Sequence, residues 1–200
     1  MFFDSENQTE PNRNTTMKQT ILAAMLLTLS GAATLSSAQE PQMPPPAKEH
    51  EWLQKFVGEW NTSSEIYMDP TKEPMKATGT ETCRTIGGFW ILGEAKCEMM
   101  GKSMTSQLTL GYDPAKGKYV GTWIDSMNSY LWVYTGTLDE SGKVLTLETE
   151  GHCPMEPGKM RKFKEVTEFK SDDHRVFTSS MQGDDGKWTA IVKVEAKRKK

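Results

Sequence analysis

The stretch GKSMTSQLTLGYDPAKGKYVGTWIDSMNSYLWVYTGTLDESG, residues 101–142, decides the fold. Three runs rich in β-branched and aromatic residues, 103–112, 118–125 and 129–138, are separated by Asp113-Pro114 with Gly117 and then by Ser126–Asn128. The third run ends at Glu140–Gly142. Proline presets a turn dihedral, glycine accepts positive φ, and Asp and Asn bond their own backbone, so each cluster reads as a chain reversal. Strands joined by so few residues are antiparallel neighbours.

The same alternation continues in both directions. Upstream runs lie at 59–68, 75–86 and 89–100, punctuated by Asp69-Pro70, Gly87-Gly88 and Gly101-Lys102. Downstream runs lie at 143–150, 159–170, 174–182 and 187–197, punctuated by Pro154–Gly158, Ser171–Asp173 and Gly183–Gly186. Ten strands in a meander leave two raw edges unless the sheet closes on itself. A two-sheet sandwich needs longer crossing connections, and only 151–158 has room for one. The expectation is an all-β protein: a closed antiparallel up-and-down barrel of about ten strands. Before it, Trp52, Leu53, Phe56 and Val57 recur at helical spacing in 48–57 and Gly58 follows as a stop, which predicts one short helix closing the bottom. The strand faces are mixed: one face of 75–86 carries Met75, Ala77, Gly79, Glu81, Cys83 and Thr85. A small barrel packed solid shows a purer apolar face, so a lumen holding water or ligand is expected.

The chain has 200 residues and a formal charge of -3, without the basic field of a nucleic-acid binder. The basic end Lys197-Arg198-Lys199-Lys200 reads as a solvated tail. Met17-Lys18-Gln19, the apolar stretch Ile21–Leu29 and the small residues Ser36-Ser37-Ala38 form an export leader, with a start at Met17 and cleavage after Ala38. Its apolar run is too short to span a bilayer. The expected organisation is therefore a leader over 1–38, a proline-rich linker over 39–47 and a barrel domain over 48–200, in a periplasmic or secreted protein.

Two sets of residues carry a resemblance. Gly58-Glu59-Trp60, directly after the helix, is similar to the G-x-W signature of lipocalins and related calycin barrels. That resemblance implies structural roles for Gly58 and Trp60, with the tryptophan plugging the closed end under a late basic residue: Lys193, Lys197 or Arg198. A longer set comprises His50, Leu53 and Val57-Gly58-Glu59-Trp60, then Gly87-Gly88-Phe89-Trp90, then Gly111-Tyr112-Asp113-Pro114 and Lys118 to Met127. It resembles the bacterial family known as domain of unknown function 1579, across roughly 45–197. The family implies a lipocalin-like barrel, often exported, and supplies no activity or catalytic residue. The three cysteines and His152-Cys153-Pro154-Met155 depart from its pattern.

With the helix end at the bottom, Met68, Met75, Met99, Met100, Met104, Met127, Met155, Met160 and Met181 all fall at or near connections at the top. Methionine is polarizable and adaptable and suits a promiscuous apolar surface. The expected ligand is small and apolar or aromatic, entering at this mouth and contacting Met99, Met104, Met127, Met160 and Met181. It would lie over Trp123, Asp125 and Trp132. The aromatic density from Tyr112 to Tyr134 reads first as barrel packing and second as a stacking wall. Of Cys83, Cys97 and Cys153, the turn at Gly87-Gly88 holds the first two out of register, leaving Cys97–Cys153 as the candidate disulfide. Hydrolase, metalloprotease, P-loop and dinucleotide motifs do not occur. A binding protein is expected rather than an enzyme, with no catalytic residue, metal or cofactor assigned. Three alternatives stay open: a filled barrel serving as an envelope structural or interaction protein, a lipocalin-like enzyme using Glu81 or Asp125 as base, and a copper carrier using His152, Cys153 and Met155.

Overall fold

The computed structural model describes residues 44–69, 71–99 and 101–200. The leader, most of the proline-rich segment and Met100 lie outside the described residues. A short helix α1 (Lys48–Leu53) runs into a 3-10 turn (Gln54–Phe56). Ten strands follow: β1 Gly58–Ile66, β2 Met75–Ile86, β3 Trp90–Met99, β4 Lys102–Asp113, β5 Lys118–Asp125, β6 Trp132–Leu138, β7 Val144–His152, β8 Met160–Ser171, β9 His174–Gln182 and β10 Trp188–Arg198. Every strand pairs antiparallel with its sequence neighbour, and β1 pairs with β10 from Trp60↔Arg198 to Ile66↔Val192. The barrel is closed, as the turn spacing predicts.

The sixth strand starts well after its expected position, and the cause is local. Asp125 Oδ1 accepts from the backbone N–H of Met127 (2.6 Å) and Asn128 (3.1 Å), and Asn128 Oδ1 accepts from Tyr130 N–H (2.9 Å). Two consecutive Asx turns hold 126–131 out of the ladder, so β6 begins at Trp132 rather than at 129.

Inward and outward faces alternate as the ladder requires. On β2 the inward set is the face that runs from Met75 through Ala77, Gly79 and Glu81 to Cys83, with Ala77 and Cys83 buried. On β5 and β6 the inward set includes Gly121 and Gly136. A Cβ at Gly121 would strike the Thr109 carbonyl, and one at Gly136 the Thr146 carbonyl. The strands coil so tightly there that only a hydrogen fits, which is how a small barrel turns its corners.

The lower storey is packed solid. Leu53 and Phe56 from the helical segment meet Trp60, Cys83, Ile91, Leu110, Tyr119, Leu145, Phe169 and Ala196 from eight different strands. The helix is stitched across the opening: Trp52 Nε1 donates to Gly142 O (2.8 Å) and Tyr119 Oη to Glu49 O (3.3 Å). Trp52, Phe56 and Phe169 interlock edge to face at 5.1–5.8 Å. Buried His50 accepts at Nδ1 from Ala47 N–H (3.0 Å), so its Nε2 donates to Tyr112 O (3.1 Å).

Candidate functional site

Trp60 is fully buried at the base, and its indole N–H donates to Phe56 O (2.8 Å). Arg198 lies over the ring at 4.2 Å and Arg175 at 4.9 Å. Of the three basic residues the G-x-W resemblance offers, register selects Arg198. Arg198 sits opposite Trp60, whereas Lys197 and Lys193 sit opposite outward-facing Asn61 and Glu65. Its guanidinium donates to Val57 O (2.6 Å), Lys55 O (3.1 Å) and Asp172 O (3.0 Å). Arg175 in turn donates to Glu81 at 2.6 Å. Glu81, a candidate base on sequence grounds, is thus the counter-ion of a buried arginine.

Above this plug the interior changes character. Leu108, Trp123, Trp132, Phe177 and Val194 all point inward by register, yet each remains only half-buried. These inward-facing side chains keep part of their surface accessible, whereas the core of the lower storey is almost fully buried.

One buried carboxyl stands at this level. Leu147, Glu165 and Ser179 form a row across β7, β8 and β9. Glu165 is 7% exposed; Oε1 accepts from Ser179 Oγ (3.0 Å), and buried Oε2 has no partner. Burial pushes its pKa up to about 8, with the Ser179 hydrogen bond opposing only in part. Tyr134, 8% exposed, has its phenol pushed up by burial and then by the Glu165 and Asp125 carboxylates. The Trp132 indole N–H is likewise buried without a partner. Glu165 escapes sequence reading because its strand, Phe163-Lys164-Glu165-Val166-Thr167, is charged on both faces. The signal was the alternation of Phe163, Thr167 and Phe169 around it, which puts Glu165 on the same side as three apolar or neutral neighbours.

The residues expected to bind ligand are only partly brought together. Met104 faces inward opposite Cys97, Met99 lies at the inner rim, and Met181 is buried opposite Phe163. Trp123 and Trp132 face each other across β5 and β6. Asp125 also faces inward, opposite Ser106, but both its oxygens are engaged in the Asx turn and with Asn128 Nδ2. Met127 and Met160 do not reach the lumen. Met127 sits in the β5–β6 turn and Met160 on the outer face at the start of β8, each 46% exposed. All three cysteines are free, and the expected bridge between Cys97 and Cys153 is not formed. Cys153 instead packs against Met181 Sδ at 3.7 Å beside Phe163 and Ile191. The soft set of the copper reading is split: His152 stacks outward on Tyr130, Cys153 is buried and Met155 is exposed.

The upper wall is also split. Pairing of β6 with β7 stops at Thr135↔Glu148, although both strands continue towards the rim. The Trp132 ring wedges over Gly151, where a Cβ would strike it, and meets Phe163 edge-on at 5.0 Å. A cleft of about 610 Å³ opens along this seam, lined by Leu131, Val133, Glu148, Phe163 and Trp188 among others.

This barrel has known counterparts. It is similar to the crystal structure of Rv2717c from M. tuberculosis, with 15% identity and a TM-score of 0.55 over 77% of this chain and 99% of that one. It is also similar to the S-type phycobiliprotein lyase CPES from Guillardia theta, with 13% identity and a TM-score of 0.50 over 78% and 99%. At such identities the likeness is one of fold. No curated protein matches the chain. Residues 45–198, which take in the helical cap and all ten strands, match the family described as "Protein of unknown function (DUF1579)", and the chain belongs to that family.

Proposed function

We propose that the chain is an exported carrier of small apolar or aromatic molecules, which it holds in the upper lumen. The observation that carries this reading is the accessible surface that Leu108, Trp123, Trp132 and Phe177 keep although their register turns them inward. Retention comes from apolar area removed from water, at roughly 25 cal/mol per Å². Aromatic rings add edge-to-face and stacking contacts. Met99, Met104 and Met181 lie at the inner rim and supply adaptable contacts there. The export half of the reading rests on the Met17–Ala38 leader pattern.

The test uses N-phenyl-1-naphthylamine, a neutral aromatic probe whose fluorescence rises out of water. The wild-type barrel is expected to take it up saturably. Ala95→Trp, which grows a large side chain into the lumen from β3, is expected to weaken uptake by about tenfold or more while the thermal melt stays cooperative. Absence of uptake by the wild type, or uptake that Ala95→Trp leaves unchanged, would sink the binding reading. The export reading is checked separately by sequencing the amino terminus of protein recovered from outside the cytoplasm. It should begin at Gln39, and a terminus at Met17 would overturn it.

A further inference from the structure

We infer that the ligand is a cationic amine carried on an aromatic or apolar body, with its ammonium N–H donating to Oε2 of Glu165. This inference rests on the carrier reading above and names the ligand class for the same lumen.

The geometry points there step by step. Glu165 faces the lumen from the middle of β8, is 7% exposed, and leaves Oε2 without a partner. A buried polar oxygen without a hydrogen bond is costly, and native structures tolerate it only where something else completes it. Among the described residues, none supplies a cation for the purpose. Leu147 and Thr149 on β7 and Ser179 on β9 surround the carboxyl, and none is charged. Tyr134 on β6, whose phenol is raised by burial and then by the Glu165 carboxylate, cannot be positive. Arg161, four residues along β8, is bound to Asp184 and Glu156 at the rim. Arg175, four residues along β9 from Ser179, is bound to Glu81 at the base. Both arginines are therefore committed elsewhere, and the deep carboxyl is left for a positive charge that arrives from outside.

The walls suit the same ligand. Trp123, Trp132, Tyr134, Phe163 and Phe177 all face this storey, and aromatic faces attract a desolvated ammonium. An anionic ligand would gain nothing from the ring faces, whose quadrupoles attract cations. A neutral alcohol could donate to Oε2 but would gain nothing from the rings or from ionising the carboxyl. The proton balance is definite. Glu165 holds its proton at neutral pH in the empty barrel because burial disfavours the anion. An ammonium ion entering as a cation keeps its own protons, and Glu165 ionises to meet it. One proton then leaves for solvent.

The experiment compares 1-naphthylmethylamine with its neutral isostere 1-naphthalenemethanol by titration calorimetry at pH 7, in two buffers of different ionisation enthalpy. The wild type is expected to bind the amine at least about tenfold more tightly than the alcohol, the scale of one charge-assisted hydrogen bond. It should also release up to one proton with the amine and none with the alcohol. Glu165→Gln should abolish both the preference and the proton release while its thermal melt stays cooperative. The melt shows that the variant is folded, and uptake of N-phenyl-1-naphthylamine by the wild type separates the two readings. If the neutral probe does not bind, the carrier reading fails; if it binds and the amine shows no preference, only this inference fails. A preference that survives in Glu165→Gln would also overturn it, because the cation would then be recognised elsewhere.

Discussion

Arg198 illustrates how much one side chain can hold when its geometry is planar and forked. It stacks on Trp60 at 4.2 Å while donating to the carbonyls of Val57, Lys55 and Asp172. The last residue of the final strand is thereby tied to the entry of the first strand and to the β8–β9 turn. Arg198→Ala should leave two carbonyls of the helical cap unsatisfied and uncover the indole. The expected loss is about 2–4 kcal/mol, adding unmet hydrogen bonds to a lost cation–π contact. Lysine cannot span three acceptors while lying flat on a ring, so Arg198→Lys should recover less than half. Urea unfolding of the three proteins measures this, and an Arg198→Ala midpoint equal to wild type would remove Arg198 from the closure. The sequence narrowed the partner of Trp60 to three basic residues and no further. The choice depends on the β1–β10 register, and residues 138 positions apart in the chain carry no local sign of facing each other.

At the scale of elements, the strands were legible because each is bounded by residues with one physical use. Asp113-Pro114 with Gly117, the pair Gly87-Gly88 and the run Gly183–Gly186 reverse the chain wherever they occur, and the ten strands lie where those reversals leave them. The inward face of β2 was legible for the same reason, since a period of two fixes every alternate residue once one is placed. What could not be read was departure from the ladder. The delayed start of β6 depends on paired Asx turns, and the parting of β6 from β7 depends on where the Trp132 ring lands against Gly151. The site residues divide along the same line. Trp123, Met104 and Met181 sit inside as alternation demands. Met127 and Met160 do not, because proximity to the top end in sequence says nothing about which face of the wall a residue occupies. Glu165 is hidden in the sequence because Lys162, Lys164 and Glu168 on its outer side make the whole strand look solvated.

Across the whole molecule, the two storeys are built differently. The helical cap, Trp60 and its arginines close a base in which Leu53, Ile91, Leu110 and Leu145 are almost fully buried, and this supplies the packing. The upper storey is less fully buried and carries a carboxyl that folding penalises. That penalty has a signature in the pH dependence of stability. Glu165 titrates near its ordinary value of about 4.5 in the unfolded chain and at about 8 in the native barrel. Between those values the native state holds a proton that the unfolded state has lost, so stability must fall as pH rises. The contribution is fully present below about 4.5 and gone above about 8. At about 1.4 kcal/mol for each tenfold change in the protonation equilibrium, the loss across the window is a few kcal/mol. The carboxylates held low by hydrogen bonds, among them Asp113, Asp139 and Asp184, act with the opposite sign and below this window. Glu165→Gln keeps the shape and cannot titrate, so any cost it carries is the same at every pH. Urea unfolding at pH 5 and pH 8.5 should therefore show wild type losing stability relative to Glu165→Gln as pH rises. Parallel curves for the two proteins would mean that the carboxyl is already ionised in the empty barrel, solvated by water reaching it through the lumen.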